Sequence, residues 1–161
     1  MTSQTTPSPF NIVTYHDEYA ADFDRLNRAW LTRGNFLEPL DELYLAAPRT
    51  KIIDVGGQIF FALRGDVVVG TAAAIPHGTS SVELAKLAVD PSAQGQGLGR
   101  TLSTAVIDYA RRRRAARVVL TSNSRLTAAV ALYRSLGFED RPCPPGFGYE
   151  TADVYMELAL S

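Results

Sequence analysis

The chain has 161 residues, of which 46% are hydrophobic, 20% charged and 9% aromatic, with a formal net charge of −1. That composition suits a soluble globular protein with one buried core. A pI near 6.1 argues against bulk electrostatic binding to nucleic acid or an anionic membrane, and no apolar run approaches the roughly 18 residues of a membrane span.

The opening "MTSQTTPSPF" has no basic segment followed by an apolar one, so it does not read as a signal peptide. Residues 1–9 are expected to form a polar, disordered tail ahead of a single domain over 10–161. "FNIVTY" (10–15) reads as a strand. Tyr19, Phe23, Leu26 and Trp30 then recur at helical spacing, with Gly34 as a stop. "PLDELYLAAP" suggests a second short helix ended before Pro48. Strands are expected at 57–64 and 66–76, joined at "RGD", and at 81–90 after the turn "PHGTS". Leu98, Leu102, Ala105, Val106 and Tyr109 define one face of a helix. "RVVLT" (117–121) reads as a buried strand, "LTAAVALYRSL" as a helix closed by Gly137, and 153–160 as a last strand.

The order β-α-α-β-β-β-α-β-α-β implies an α+β (mixed α/β) fold, a mixed sheet flanked by helices rather than a simple doubly wound one. The one cysteine, Cys143, cannot close an internal disulfide, in keeping with a reducing cytosol and a cytoplasmic chain.

The stretch "QGQGLGR" places Gly95, Gly97 and Gly99 directly before a helix. The first N–H groups of a helix lack internal partners and carry about half a positive charge, so they attract anions. Glycines let a phosphate approach the backbone closely and supply φ > 0. A dinucleotide fingerprint starting at Gly95 would need a small residue where Arg100 stands, and the P-loop string does not occur.

The pattern Gln94-x-x-Gly97-x-Gly99 closely resembles the acetyl-CoA pyrophosphate loop of the GNAT N-acetyltransferase superfamily. "ELAKLAVDPSAQGQGLGRTL" resembles that family's strand, loop and helix in sequence. "ALYRSLGF" (131–138) resembles its second signature, and the element order matches as well. The resemblance implies a splayed sheet with acetyl-CoA in the gap between the strand ending at Val89 and the strand at 117–121. It further implies that the backbone of Leu87, Ala88 and Val89 pairs with the pantetheine arm. Gln94, Gly95, Gln96, Gly97, Leu98, Gly99 and Arg100, with Thr101, would hold the pyrophosphate.

Acetyl transfer to an amine needs a base for the nitrogen and an acid for the departing thiolate. Glu83 lies eleven residues before Gln94, the spacing at which family members with a strand glutamate base carry it; a solvated strand residue is the plainer reading. Tyr133 holds the family's tyrosine position, and a phenol can protonate a leaving thiolate; it also lies on the apolar face of Leu126, Ala129, Val130 and Leu136. Many relatives carry Asn where Leu126 stands, and Asn123, with Ser124, is a substitute contact for the cofactor.

Arg111 to Arg114 read as a solvated helix end, with the 3′-phosphate of CoA as a lesser alternative. His16 and His77 read as structural or exposed, and Cys143 as a loop residue rather than a nucleophile. By the resemblance, segments 30–45, 76–80 and 141–151 wall the acceptor site. They contribute Trp30, Phe36, Glu38, Tyr44, Phe147 and Tyr149, and Arg125 is a candidate carboxylate anchor. The expected partners are acetyl-CoA and an amine, with room for a homodimer and with no metal, nucleic acid or membrane. The expected activity is acetylation of a small-molecule primary amine. The alternatives are a protein or peptide acceptor, or a non-enzymatic acyl-CoA sensor.

Overall fold

The computed structural model describes residues 9–147 and 150–160. Apart from Pro9, the expected tail lies outside the described residues, as does Tyr149. The elements are β1 (Asn11–Thr14), α1 (Ala20–Arg33), α2 (Pro39–Ala46), β2 (Gln58–Arg64), β3 (Val67–His77) and β4 (Ser81–Val89). They continue with α3 (Leu98–Arg112), β5 (Arg117–Ser122), α4 (Thr127–Ser135), β6 (Glu139–Asp140) and β7 (Val154–Ala159). Every element expected from the sequence is present in the expected order. A wide turn at Arg49–Ile53, in which Asp54 N–H bonds the carbonyl five residues back, and the two-residue β6 are additions.

The strands form one seven-stranded mixed sheet in the order β1-β2-β3-β4-β5-β7-β6. Among the described residues only β4 and β5 run parallel, and they pair over just three residues, Ser81–Glu83 against Arg117–Val119. Beyond that point the strands separate, which is the splay expected from the resemblance.

Two apolar layers cover the sheet. On one face Leu98, Leu102 and Val106 of α3 pack with Val82, Leu84, Val118, Leu120 and Met156. On the other, Phe23, Leu26 and Leu31 of α1 and Leu45 of α2 pack with Ile59, Phe61, Ala73 and Ile75. A bulge in β4 falls between these layers: Thr71 faces Ala88 but Ala73 faces Ala85, so β4 holds one extra residue there. Lys86, inside the bulge, takes φ +56°, a conformation uncommon outside glycine.

Candidate active site

The glycine loop ends at Gly97, the N-cap of α3, with φ +80°, and Gly95 has φ +79°. A Cβ at either position would meet nothing within 4 Å. These two glycines are therefore required by the backbone conformation, and the space beside them is open. The first helical bond is donated by Thr101 N–H to the Gly97 carbonyl at 3.1 Å, which leaves the N–H groups ahead of it available to an anion. Thr101 Oγ1 donates to the same carbonyl, and Gln94 Nε2 donates to the Val89 carbonyl at 3.2 Å. Gln96 is exposed.

The remaining loop residues serve the fold. Leu98 is buried in the α3 layer. A Cβ at Gly99 would stand 3.1 Å from Leu132 Cδ2, so this glycine, inside the helix and without positive φ, lets α4 approach. Arg100 donates to Ser135 Oγ at 2.6 Å, a second tie between α3 and α4.

Among the described residues β4 pairs with β5 only as far as Glu83, so Leu87 to Val89 lie on the strand edge where the two strands part. A cleft of ≈ 210 Å³ opens there, lined among others by Glu83, Lys86, Leu87, Asn123, Leu126 and Tyr133. Glu83 pairs in register with Ile75, on the α1–α2 face, whereas Tyr133 belongs to the α3–α4 layer. Side chains from opposite faces of a sheet reach one space only because the sheet splits.

Tyr133 is fixed by the end of its own helix. Gly137 N–H bonds the Arg134 carbonyl and Phe138 N–H bonds the Tyr133 carbonyl, at 3.0 and 3.1 Å. With Gly137 at φ +101°, this is the Schellman closure, in which an apolar residue past the glycine packs back on the helix. Phe138 does so, edge-on to the Tyr133 ring at 6.0 Å. Burial pushes the Tyr133 phenol up to about 12, so its proton stays in place at neutral pH.

Glu83 is not the solvated strand residue of the plainer reading: its side chain is 6% exposed, and Oε1 lies 2.7 Å from His77 Nε2. His77, read from the sequence as structural or exposed, is exposed and is also the hydrogen-bond partner of the candidate base. That bond raises the imidazole pKa above its ordinary value. Tyr44, nearby on α2, is raised by its own burial and by the Glu83 charge.

Asn123 lines the cleft, yet both ends of its amide are occupied. Nδ2 donates to the Thr151 carbonyl at 2.5 Å, and Oδ1 accepts from Arg125 N–H at 2.9 Å. It secures a loop before it could touch a cofactor. Arg125 is exposed and lies over the Phe36 ring at 4.5 Å. Cys143 is exposed. Of the arginine run, Arg111 pairs with Asp108 and Arg113 donates to the Gly56 carbonyl. The run closes the far end of the 15-residue α3, ~22 Å from the glycine loop at 1.5 Å per residue.

Two further contacts shape the cleft wall. Glu38 accepts from the N–H groups of Glu150 and Thr151 and from the Thr151 hydroxyl, fastening the 150–152 strap beside the cleft. Burial opposes ionisation of Glu38, but those hydrogen bonds prevail and hold its pKa below the usual value. Lys86 and Asp41 form an ion pair, both almost fully buried, in the cleft wall. Neither contact was read from the sequence, because each joins segments far apart in the chain.

Residues 15–138 match the acetyltransferase (GNAT) family, and the chain belongs to that family. Mycothiol acetyltransferase of Renibacterium salmoninarum is 36% identical over 80 residues, covering 49% of this chain and 24% of that protein. The ribosomal protein bS18-alanine N-acetyltransferase of Escherichia coli K12 is 41% identical over 83 residues, covering 48% of this chain and 55% of that one. The chain spans about half or less of the length of the curated relatives it first matches. A putative acetyltransferase from Salmonella typhimurium, solved with its cofactor acetyl-CoA, has the same fold: TM-score 0.72 at 24% identity, with 94% of each chain covered. Among the described residues no cluster of His, Cys, Asp or Glu could hold a metal ion, and no helix is long and apolar enough to cross a membrane.

Proposed function

We propose that this chain transfers an acetyl group from acetyl-CoA directly to the primary amine of a small molecule. The observation that carries the proposal is the splay itself, which brings Glu83 from one face of the sheet and Tyr133 from the other to a single cleft. The residues fit the cofactor. Left-handed Gly95 and Gly97 open a cradle that any Cβ would fill, the α3 N–H groups suit a pyrophosphate, and the strand edge of Leu87 to Val89 suits an amide-bearing arm.

Bound acetyl-CoA supplies an activated acetyl group and a thiol leaving group. Glu83 takes a proton from the acceptor nitrogen, since an amine with a pKa near 10 arrives as ammonium at pH 7. Tyr133 presents a proton from an apolar wall to the departing sulfur. Against an ordinary thiol near 8.5, complete transfer from a phenol near 12 is uphill by roughly 5 kcal/mol. Apolar surroundings raise a thiol as well and narrow that gap. The phenol therefore acts first as a hydrogen-bond donor to developing charge.

The small-molecule reading is supported by the strap: Thr151 and Ala152 line the cleft and Glu38 holds Thr151 there, which narrows the acceptor side. One relative is named for mycothiol and another for a ribosomal protein, so the test must separate the two. The experiment is an amine panel of small amines, amino acids and peptide N-termini, with CoA release followed by thiol detection. Release with small amines and not with peptides is expected. Peptide-only turnover would move the acceptor to the other class. CoA binding without release to any amine would leave an acyl-CoA sensor, and a thermal shift with NAD instead of CoA would remove the cofactor as well.

A further inference from the structure

We propose that His77 is a positioning residue for amine deprotonation, holding the Glu83 carboxylate charged and fixing which of its oxygens faces the acceptor. The inference rests on the function proposed above and gives a role to His77, to which the family resemblance assigns none.

The geometry begins with burial. A carboxylate that is 6% exposed has lost most of its water, and isolation of that kind favours the neutral acid, which cannot serve as a base. A compensating donor is needed, and His77 Nε2 supplies it at 2.7 Å from Oε1. The contact engages Oε1, and the proposal gives Oε2 to the acceptor nitrogen.

His77 is itself held in place. It is the last residue of β3, pairs in register with Ser81, and sits one position before Gly78 at φ +67°. Its ring lies 5.4 Å from Phe147, which in turn lies edge-on to Tyr155 at 5.3 Å. The His77 side chain is 41% exposed, so unlike Glu83 it exchanges protons with water. The pair thus has a dry member facing the cleft and a wet member facing solvent.

The charged groups around the pair have partners of their own. From α2 come Tyr44 and, beside it, Asp41, which is matched by Lys86 of β4. On β7, Tyr155 donates to Glu157, which faces Arg117 of β5 at 3.9 Å. Among these types only an imidazole ordinarily titrates between about pH 5 and 8, and the hydrogen bond to Glu83 raises the pKa of His77.

In the step itself, the ammonium N–H bond breaks, the proton forms an O–H bond on Glu83 Oε2, and the electron pair stays on nitrogen as the nucleophile. A nearby imidazolium favours the carboxylate from which this step starts. The effect is therefore on the pH at which the base becomes available, more than on the rate once it is ionised.

The test compares wild type, His77→Gln and His77→Phe on one acceptor found in the amine panel, measuring kcat/KM against pH and acetyl-CoA affinity by calorimetry. Using one acceptor cancels the amine's own titration. In His77→Phe the acidic limb is expected to move up by a unit or more, so that kcat/KM falls at least tenfold at pH 6.5 and recovers by pH 9. His77→Gln, which keeps a donor but no charge, should fall between, with acetyl-CoA affinity unchanged in both. Imidazole NMR of wild type and Glu83→Gln supplies a readout independent of turnover, with the His77 pKa falling toward 6.5 once the carboxylate is gone. A limb that stays in place in His77→Phe, a loss equal at every pH, or a His77 pKa indifferent to Glu83→Gln overturns the proposal alone. CoA release with no amine in the panel overturns the functional reading and this proposal with it.

Discussion

Replacing Gly97 with Asp separates what the glycine loop does for the fold from what it does for an anion. Gly97 caps α3 at φ +80°, and a Cβ there meets nothing within 4 Å, so an aspartate clashes with no neighbour. Asp tolerates the left-handed region better than most residues, and a negative charge at a helix N-terminus gains about 0.3–1 kcal/mol from the dipole. The fold should therefore be nearly unchanged in stability. The same charge at ~5 Å from a phosphate costs about 1–3 kcal/mol per charge, for an effective dielectric of 80 down to 20. A tenfold loss of acetyl-CoA affinity, about 1.4 kcal/mol, is thus the minimum expected. Gly97→Asn, with the same shape and no charge, should lose far less. Gly97→Ala should instead lose about 1–2 kcal/mol of stability from the left-handed strain, or ~2–8 °C in Tm for a chain of this size. Calorimetry at low and high salt, alongside thermal unfolding, reads all three variants. Unchanged affinity in Gly97→Asp, or equal losses in Asn and Asp, would refute the anion cradle.

Tyr133→Phe should lower kcat while leaving acetyl-CoA affinity nearly intact, because its hydroxyl matters as charge develops on sulfur; weakened binding with kcat preserved would make Tyr133 a binding or packing residue. Glu83→Gln should lose roughly 10²-fold or more in kcat/KM and its acidic limb, whereas a few-fold loss with an unchanged profile would place deprotonation elsewhere. Lys86→Met should cost about 3–5 kcal/mol in denaturant unfolding by stranding Asp41 uncompensated, and Asp41→Leu added to it should recover much of that. A loss under ~1 kcal/mol in the single variant contradicts the buried pair. Because the Glu38 pKa is depressed on folding, the stability it contributes is present above its unfolded value and is lost as pH falls through the folded one. The Tm advantage of wild type over Glu38→Gln should therefore shrink between pH 6 and pH 3.5, and a difference independent of pH would show that the strap does not depend on that charge.

Periodicity made the major elements legible, and two local motifs carried geometry as well as order. "LYRSLGF" encodes a helix, a left-handed glycine and an aromatic that folds back on Tyr133, all within seven residues. "QGQGLGR" encodes the left-handed turn before α3. The bulge at Lys86 was not legible. Strict alternation along "SVELAKLAV" would put Leu87 and Val89 on the face of Glu83, whereas the extra residue sends both to the α3 layer. His77 beside Glu83 was readable in principle: across a hairpin in which His77 pairs with Ser81, Glu83 is the diagonal same-face neighbour. Lys86 with Asp41, and Glu38 with Thr151, were not readable, since their partners lie 45 and 113 residues apart and meet only through packing. Two-residue β6 is too short for any pattern.

Three paired residues are a thin seam for a seven-stranded sheet. On one side stand β1 to β4, a continuous antiparallel meander apart from the helical excursion after β1; on the other stand β5, β7 and β6 with α4. The two halves can open against each other at a lower free-energy cost than global unfolding, as cooperative units of unequal stability do. Amide hydrogens along β5 and β7 should then exchange through that partial opening, and those of the β2–β3 hairpin only when the whole chain unfolds. A molecule that bonds along the parted edge of β4 while touching α3 and α4 would bind only the closed form. It would couple the two units and slow exchange in strands it never touches.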